Sequence, residues 1–399
     1  MLVLEQALQH ILSAVQPLAH EIVPLGTCHG RVLAAPLSAP ISLPPFDNSA
    51  MDGYAVRSAD VAKASRDNPV ELGCISQMAA GTKVAKRLLP GTCARIFTGA
   101  PLPPEADAVV MQEDTETSQQ KNRIRVLDSV KPWENVRLRG EDIREGAALF
   151  RAGDRIDVTK TAVLAALGIN RLKLGRRPRI GLLATGNELV EPGRSLKPGQ
   201  IYESNRAVLS VLLTQAGALP IHLPLAPDNL VVTRLALKRG FAKCDAVITT
   251  GGVSVGELDF VKTAFEEIGG QLDFWRVAIR PGKPFAFGKW RGKLLFGLPG
   301  NPVSAFVTFL LLVRPAIMKW QGAADLDLPC LQATLLEPLE NQGDRSHFVR
   351  VHVNAEGNAR LAGIQASHIL SSLAKANGLV EIPAKTVLRT GESVRVMYW

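Results

Sequence analysis

From residue 179 to about residue 321 the chain repeats one unit. A short apolar run is followed by a loop, and the loop by a segment whose apolar residues recur at helical spacing. Runs of five or six apolar residues are too short to be helices. Their regular alternation with helical segments leaves essentially one architecture, a largely parallel sheet with helical crossovers on both faces. The pattern predicts strands at 180–184, 221–225 and 245–249. It predicts a helix capped by Ser204 or Asn205, running through Gln215 and ended by Gly217, and another opened by Pro227-Asp228-Asn229. In such a sheet the ligand lies at the carboxyl ends of the strands.

The flanking regions read differently. Leu4, Leu8, Ile11, Leu12 and Val15 share a helical face that ends before Pro17, and a second helix is expected from Thr159 to Leu167, capped by Asp157 or Thr159. Between them, from Pro44 to Asp142, short apolar runs are interrupted by Pro and Gly, which predicts a β-rich region including strands at 94–97 and 108–112. After about Asp327 alternation returns at 348–353 and 393–396, which fits a small terminal β-domain. The expected division is therefore a discontinuous domain of helix and strand (1–43 and 143–177), an inserted β-rich domain (44–142), a doubly wound α/β domain (178–326) and a C-terminal β-domain (327–399).

Composition excludes several function classes. The longest apolar run, 306–318, falls short of the roughly 18 residues of a membrane span and contains Arg314 and Pro315. The first residues lack the pattern of a secretory leader, so a cytoplasmic location is the expectation. Five cysteines are scattered without metal-ligand spacing. They read as free thiols, largely buried. The net charge of +9 raises the question of nucleic acid. The densest basic stretch (Arg171, Lys173, Arg176, Arg177, Arg179) has no interleaved aromatic residues, and it reads as a solvated connector. Neither nucleic acid nor membrane is expected as a partner.

Two loops of the α/β region point to an anion. Thr249-Thr250-Gly251-Gly252-Val253-Ser254-Val255-Gly256 follows an apolar strand, and Gly297-Leu298-Pro299-Gly300-Asn301-Pro302-Val303-Ser304 opens a long apolar helix. Glycines let backbone N–H groups approach an anion, and a helix start favours negative charge. Each loop alone is equally a tight turn or a well-made helix start, with Asn301 at the cap and Pro302 in the first turn. Two such loops in one domain imply one cleft. Between them Arg280-Pro281-Gly282-Lys283 holds two cations on a stiff turn, which is suited to an oxyanion and, from the loop alone, is equally a solvated turn. Carboxylates stand where strands end: Glu188, Asp228 and Asp259. Beside a phosphate site they suggest Mg2+, although Asp228 and Asp259 also suit helix caps.

With Asp47-Asn48-Ser49-Ala50-Met51-Asp52-Gly53-Tyr54-Ala55, Thr98-Gly99-Ala100-Pro101 and Arg139-Gly140-Glu141-Asp142 in the β-rich region, these runs form an ordered set. In that order they resemble the molybdopterin molybdenumtransferases (MoeA), a family similar to the enzymatic E-domain of gephyrin, over essentially the whole chain. The resemblance implies a homodimer of four-domain subunits whose α/β domain is molybdopterin-binding-like. It implies insertion of molybdate into adenylated molybdopterin, with Mg2+-assisted release of AMP. By motif it carries functional roles to Asp52, Thr98, Asp142, Glu188, Asp228 and Asp259, with Mg2+ on Asp228 and Asp259. Substrate binding falls to Gly251, Gly252, Ser254, Gly256, Gly300, Asn301 and Pro302, and a molybdate pocket to Arg280, Lys283, Pro299, Arg350 and Ser367. Transient contact with a molybdopterin adenylyltransferase and with molybdoenzyme delivery proteins is implied as well. The chain departs from the family's usual residues at Asn187, where Asp is common, and at Arg276 and Arg280, where lysines are common. The competing readings are a molybdopterin adenylyltransferase, whose α/β domain is alike, and an inactive or scaffolding paralogue.

Overall fold

The computed structural model describes residues 1–81, 86–252 and 260–399. It divides into two compact units, one of Met1–Ala35, Ala152–Thr161 and Arg171–Trp399, the other of Pro36–Arg151 and Ala162–Asn170.

The first unit is built on the expected α/β sheet. Strands Leu219–His222, Arg179–Ala184, Ala246–Thr250 and Lys293–Leu298 lie side by side and parallel, and Pro284–Trp290 and Gln271–Arg276 add two antiparallel strands at one edge. The central strands are buried on both faces, as near-continuous apolar runs require. Helices Asn205–Gln215 and Leu230–Lys243 form as predicted, and Asn229 caps the second through Val232 N–H at 3.1 Å. The strand expected at 221–225 instead ends at His222, because its pairing with Arg179–Ala184 fixes the register at Leu219 opposite Arg179.

Two other expectations are corrected. The basic stretch is not a connector: Arg171–Gly175 is a strand paired antiparallel with His20–Pro24, and Arg176 grips Asp245 with both guanidinium nitrogens at 2.7 and 3.1 Å. Nor do Arg314 and Pro315 break the long apolar run. Pro302–Trp320 is one helix, α-helical at both ends with a π-helical stretch Phe309–Val313 between. A wide π turn is a place where the hydrogen bond a proline cannot make is absorbed. By length and composition this helix would cross a membrane, but it is 89% buried inside the fold and serves as its core.

The terminal region closes on itself. Strands Ser346–Val353, Asn358–Leu361, Cys330–Leu335, Ser393–Tyr398 and Gly378–Ile382 pair in a ring, because Ser346–Val353 also pairs with Gly378–Ile382. The short strand Ile279–Arg280 of the α/β region adds to this barrel beside Ser346 and His347.

The second unit carries a six-stranded sheet, with Gly53–Val56 between Thr92–Ile96 and Ala108–Met111. Its cysteines are not scattered in space: Cys74 and Cys93 stand opposite each other on paired parallel strands. The hydrogen bond from Cys93 pulls the Cys74 thiol down to about 6, against the opposing effect of burial, and the Cys93 thiol is pushed up. Cys28, Cys93 and Cys244 are buried, Cys74 is half-buried and Cys330 exposed.

Candidate functional site

A cavity of about 600 Å³ opens where three parallel strands of the α/β sheet end, at Thr185, Thr250 and Pro299. Both glycine loops wall it. Gly251 has φ +80°, and a Cβ there would sit 2.6 Å from the Thr185 carbonyl oxygen, so the first loop lies against the end of the neighbouring strand in a way only glycine permits. Gly300 faces it, with its Cβ position 3.6 Å from the Gly251 Cα. The second loop is held by the Asn205 amide, which donates to the Gly300 carbonyl at 2.8 Å. Asn301 does stand at the N-cap, with Pro302 in the first turn, but its side chain makes no cap bond; it reaches instead to the Ser367 hydroxyl at 3.3 Å. Beneath the first loop the Thr185 hydroxyl is buried without a partner among the described residues.

Glu188 lines this cavity and carries no ion pair among the described residues, while Glu203 is consumed by a buried bridge to Arg206 at 3.0 Å. Asp228 stands just outside the lining. Its carboxylate accepts from the Asn187 N–H at 3.2 Å, and the Asn187 side-chain oxygen accepts from the Asp228 N–H at 3.1 Å. Because Asn229 does the capping, the Asp228 carboxylate is not used on its helix. Among the described residues no group of three or more His, Cys, Asp or Glu gathers at metal-binding distance. Ser254, Gly256 and Asp259 lie outside the described residues.

A second cavity of about 380 Å³ adjoins the first, sharing Pro284, Pro299, Asn301 and His368. Arg280, Lys283 and Ser367 line it as expected. The sequence reading missed Arg345, Gln365 and His368, which line it too. Arg345 is brought in by the pairing of Ile279–Arg280 with Ser346 and His347, and its guanidinium donates to the Ile279 carbonyl at 3.2 Å. Among the described lining residues there is no acid, so Arg280, Lys283 and Arg345 make an oxyanion pocket.

Arg350, expected as a pocket residue, is not on the wall. It is fully buried behind the segment 364–367. It donates to Ser372 Oγ at 2.9 Å and to the carbonyls of Ile364 and Ala366 at 3.0 and 3.2 Å. Its Nη1 has no partner among the described residues, and burial pushes its pKa down.

His347 is buried among these cations, with both ring nitrogens unpartnered among the described residues. Burial, then Arg280, Arg350 and Arg345, hold its pKa down at about 4. The unfolded chain takes a proton near 6.5 and the folded chain only near 4. The contribution of His347 to folding stability is therefore constant above pH 6.5 and falls as pH drops through the window between them. Urea titrations from pH 7 to 4 are expected to show a loss of about 3 kcal/mol from this group. The loss should be absent in His347→Leu; an equal slope in that variant would disprove the assignment.

In the second unit Asp52 and Thr98 come together as the sequence motifs suggested. The Asp52 carboxylate accepts from the Thr98 N–H and hydroxyl, both at 2.8 Å, and these bonds lower its pKa. Asp142 is exposed on the turn after Arg139-Gly140-Glu141, its N–H bonded to the Leu43 carbonyl at 3.1 Å.

Comparison with known proteins follows the same lines. Residues 2–168 match the model of the MoeA N-terminal region (domain I and II), residues 181–319 that of a probable molybdopterin binding domain, and residues 332–399 that of the MoeA C-terminal region (domain IV). A molybdopterin molybdenumtransferase of Haemophilus influenzae is 38% identical, over 99% of this chain and 98% of that protein. One from Bacillus subtilis is 36% identical over 92% and 87%. A crystal structure of a molybdopterin biosynthesis moeA protein from Pyrococcus horikoshii is 32% identical, covers 100% of both chains and superposes with a TM-score of 0.85.

Proposed function

From the premise that this chain belongs to the molybdopterin molybdenumtransferase (MoeA) family, we propose that it inserts molybdenum from molybdate into adenylated molybdopterin, with Mg2+-dependent release of AMP. It is a transferase of molybdenum-cofactor biosynthesis. The observation that best supports the finer reading is the adjoining pair of cavities. One is walled by two glycine loops at strand ends, which suits phosphate and pterin; the other is lined by three cations and the Ser367 hydroxyl, which suits a dianion. Pro299 and Asn301 belong to both, so the oxyanion is held beside the substrate it must enter.

In this reading Arg280 and Lys283 neutralise molybdate and Ser367 orients one oxygen. Backbone N–H groups at Gly251, Gly252 and Gly300 hold phosphate oxygens, while Glu188 accepts a proton on the cavity wall. Asp228, uncommitted to its helix, and Asp259 supply hard oxygen ligands of the kind Mg2+ takes together with substrate phosphates. When bound, Mg2+ polarises the phosphoanhydride whose opening frees AMP. The four-domain division, the cytoplasmic location and a homodimer, in which Asp52, Thr98 and Asp142 serve the cleft of a second copy, belong to the same proposal. So does transient contact with a molybdopterin adenylyltransferase and with delivery proteins.

The test is AMP release from adenylated molybdopterin by purified protein with Mg2+, with and without molybdate. Molybdate-dependent release with metal retained on the pterin is expected, and Asp228→Ala or Asp259→Ala should lower it roughly 100-fold. Consumption of ATP with unmodified molybdopterin would point to the adenylyltransferase reading. Undiminished Mg2+-dependent turnover in both variants would remove the metal role.

A further inference from the structure

A third cavity, of about 400 Å³, lies at the opposite end of the α/β sheet from the two already described. Its lining includes Arg177, which shortly precedes the strand Arg179–Ala184, and Ala216 and Gly217, which shortly precede Leu219–His222; these are the amino ends of parallel strands. Three guanidinium side chains line it, from Arg155, Arg177 and Arg314, and among the described residues none of them makes an ion pair. No Asp or Glu lines it among the described residues. Leu328, Tyr398 and Trp399 supply an accessible apolar wall, with Phe309 and Leu310 buried behind it.

Part of this positive charge has structural work. Arg155 donates to the carbonyls of Gly30 and Gln215 at 3.1 and 2.6 Å, and Arg314 Nη1 to those of Leu326 and Asp327 at 2.8 and 3.0 Å. These bonds leave N–H donors on both forks. Arg177 has less to do: its Nε is buried with no partner among the described residues. Burial is the main influence lowering the pKa of both Arg177 and Arg314. Arg31 adds repulsion at Arg177 and Arg155 at Arg314, against the attraction of Glu21, and of Asp325 and Asp327. Cations crowded against one another around an open volume, two of them half-buried, are left short of negative charge, which a bound anion supplies.

We propose that this cavity is a second ligand site, for a small amphiphilic anion: a carboxylate or phosphate head on Arg155, Arg177 and Arg314 with a flat apolar body against Leu328, Tyr398 and Trp399. Its position links it to the first site. The helix Asn205–Gln215 starts at the 600 Å³ cavity and ends here. The helix Pro302–Trp320 likewise starts there and passes this wall with its π-helical stretch, a local widening of the kind found at functional positions. An occupant therefore touches both elements that set the second glycine loop.

The probe is 8-anilinonaphthalene-1-sulfonate, titrated into the full-length protein and read by fluorescence. One saturable site per chain is expected. Arg177→Gln and Arg314→Gln should each weaken it about tenfold, the loss of one charged contact, with melting unchanged in Arg177→Gln. Arg280→Met and added AMP should leave it unmoved, which separates this cavity from the first two. Competition by benzoate and by phenyl phosphate then tells carboxylate from phosphate preference, and displacement by either supports the site. The proposal is overturned by the absence of a saturable phase, by binding indifferent to both arginine variants, by displacement with AMP, or by a signal that vanishes as the chain self-associates. The last outcome would mean that a second copy covers the cavity.

Discussion

Gly53→Ala is expected to cost the chain about 4 kcal/mol of stability, far more than an ordinary glycine replacement. Gly53 sits in the strand Gly53–Val56, opposite Ile96 on one side and Met111 on the other. A Cβ on it would fall 1.9 Å from the Val110 carbonyl oxygen and 3.1 Å from the Met111 Cα. Both are backbone atoms of a paired strand, so no side-chain rotation relieves the clash and the strands must separate. Gly91→Ala is the matched control. Its φ is +74° and its Cβ position is empty within 4 Å, so only the left-handed backbone conformation is penalised, by about 1 kcal/mol. Hydrogen exchange at residues 53–56 and 108–111, together with thermal melting, distinguishes the two. Asp52 is the residue before the clash, so its bonds to Thr98 should loosen as well. A Gly53→Ala protein that melts with the wild type would show that this strand packs more loosely than described.

What the sequence revealed, and what it concealed, divides by the range of the interactions. Gly251, Gly300, Asn301, Glu188, Arg280, Lys283 and Ser367 all line the adjoining cavities. Gly251, Gly300 and Asn301 sit in local patterns of strand then glycine loop then helix, and Glu188, Arg280 and Lys283 on short loops at strand ends, with geometry set within a few residues; Ser367 came from the family resemblance alone. Arg345 and His368 follow no such pattern. They arrive because Ile279–Arg280 joins the barrel beside Ser346, a pairing across more than sixty residues of chain that local periodicity does not encode. The same cause hid the strand Arg171–Gly175, whose partner is His20–Pro24, and the Cys74–Cys93 pair. Arg350 was misplaced for a related reason. A sequence motif marks an arginine near the pocket, but only the closed barrel decides whether it stands on the wall or behind it. Pro315 misled in the other direction, since a buried helix kept its course through a π turn.

Arg350→Met is expected to raise the KM for molybdate about 100-fold in the AMP-release reaction while leaving the fold in place. The side chain is wholly buried and ties Ile364, Ala366 and Ser372 together behind a pocket to which Ala366 and Ser367 contribute. Losing it acts on the oxyanion twice. The segment 364–367 loses its anchor, which displaces the Ser367 hydroxyl and the Asn301 amide bonded to it. A charge that no carboxylate offsets also disappears from a site of low dielectric, where its field acts on a dianion with little screening. Two charge-assisted interactions at roughly 1.5 kcal/mol each account for a factor on the order of 100. Stability should change less, because two effects oppose: three acceptors are left unpaired, while the desolvation of an uncompensated guanidinium is relieved and methionine fills the space. Arg350→Lys restores the charge but not the fork that reaches three acceptors at once, so about tenfold of the loss should return. A fall in kcat with unchanged KM would place Arg350 in the chemistry rather than in holding molybdate. An unaltered KM in Arg350→Met would mean that Arg280, Lys283 and Arg345 bind the oxyanion without support from behind.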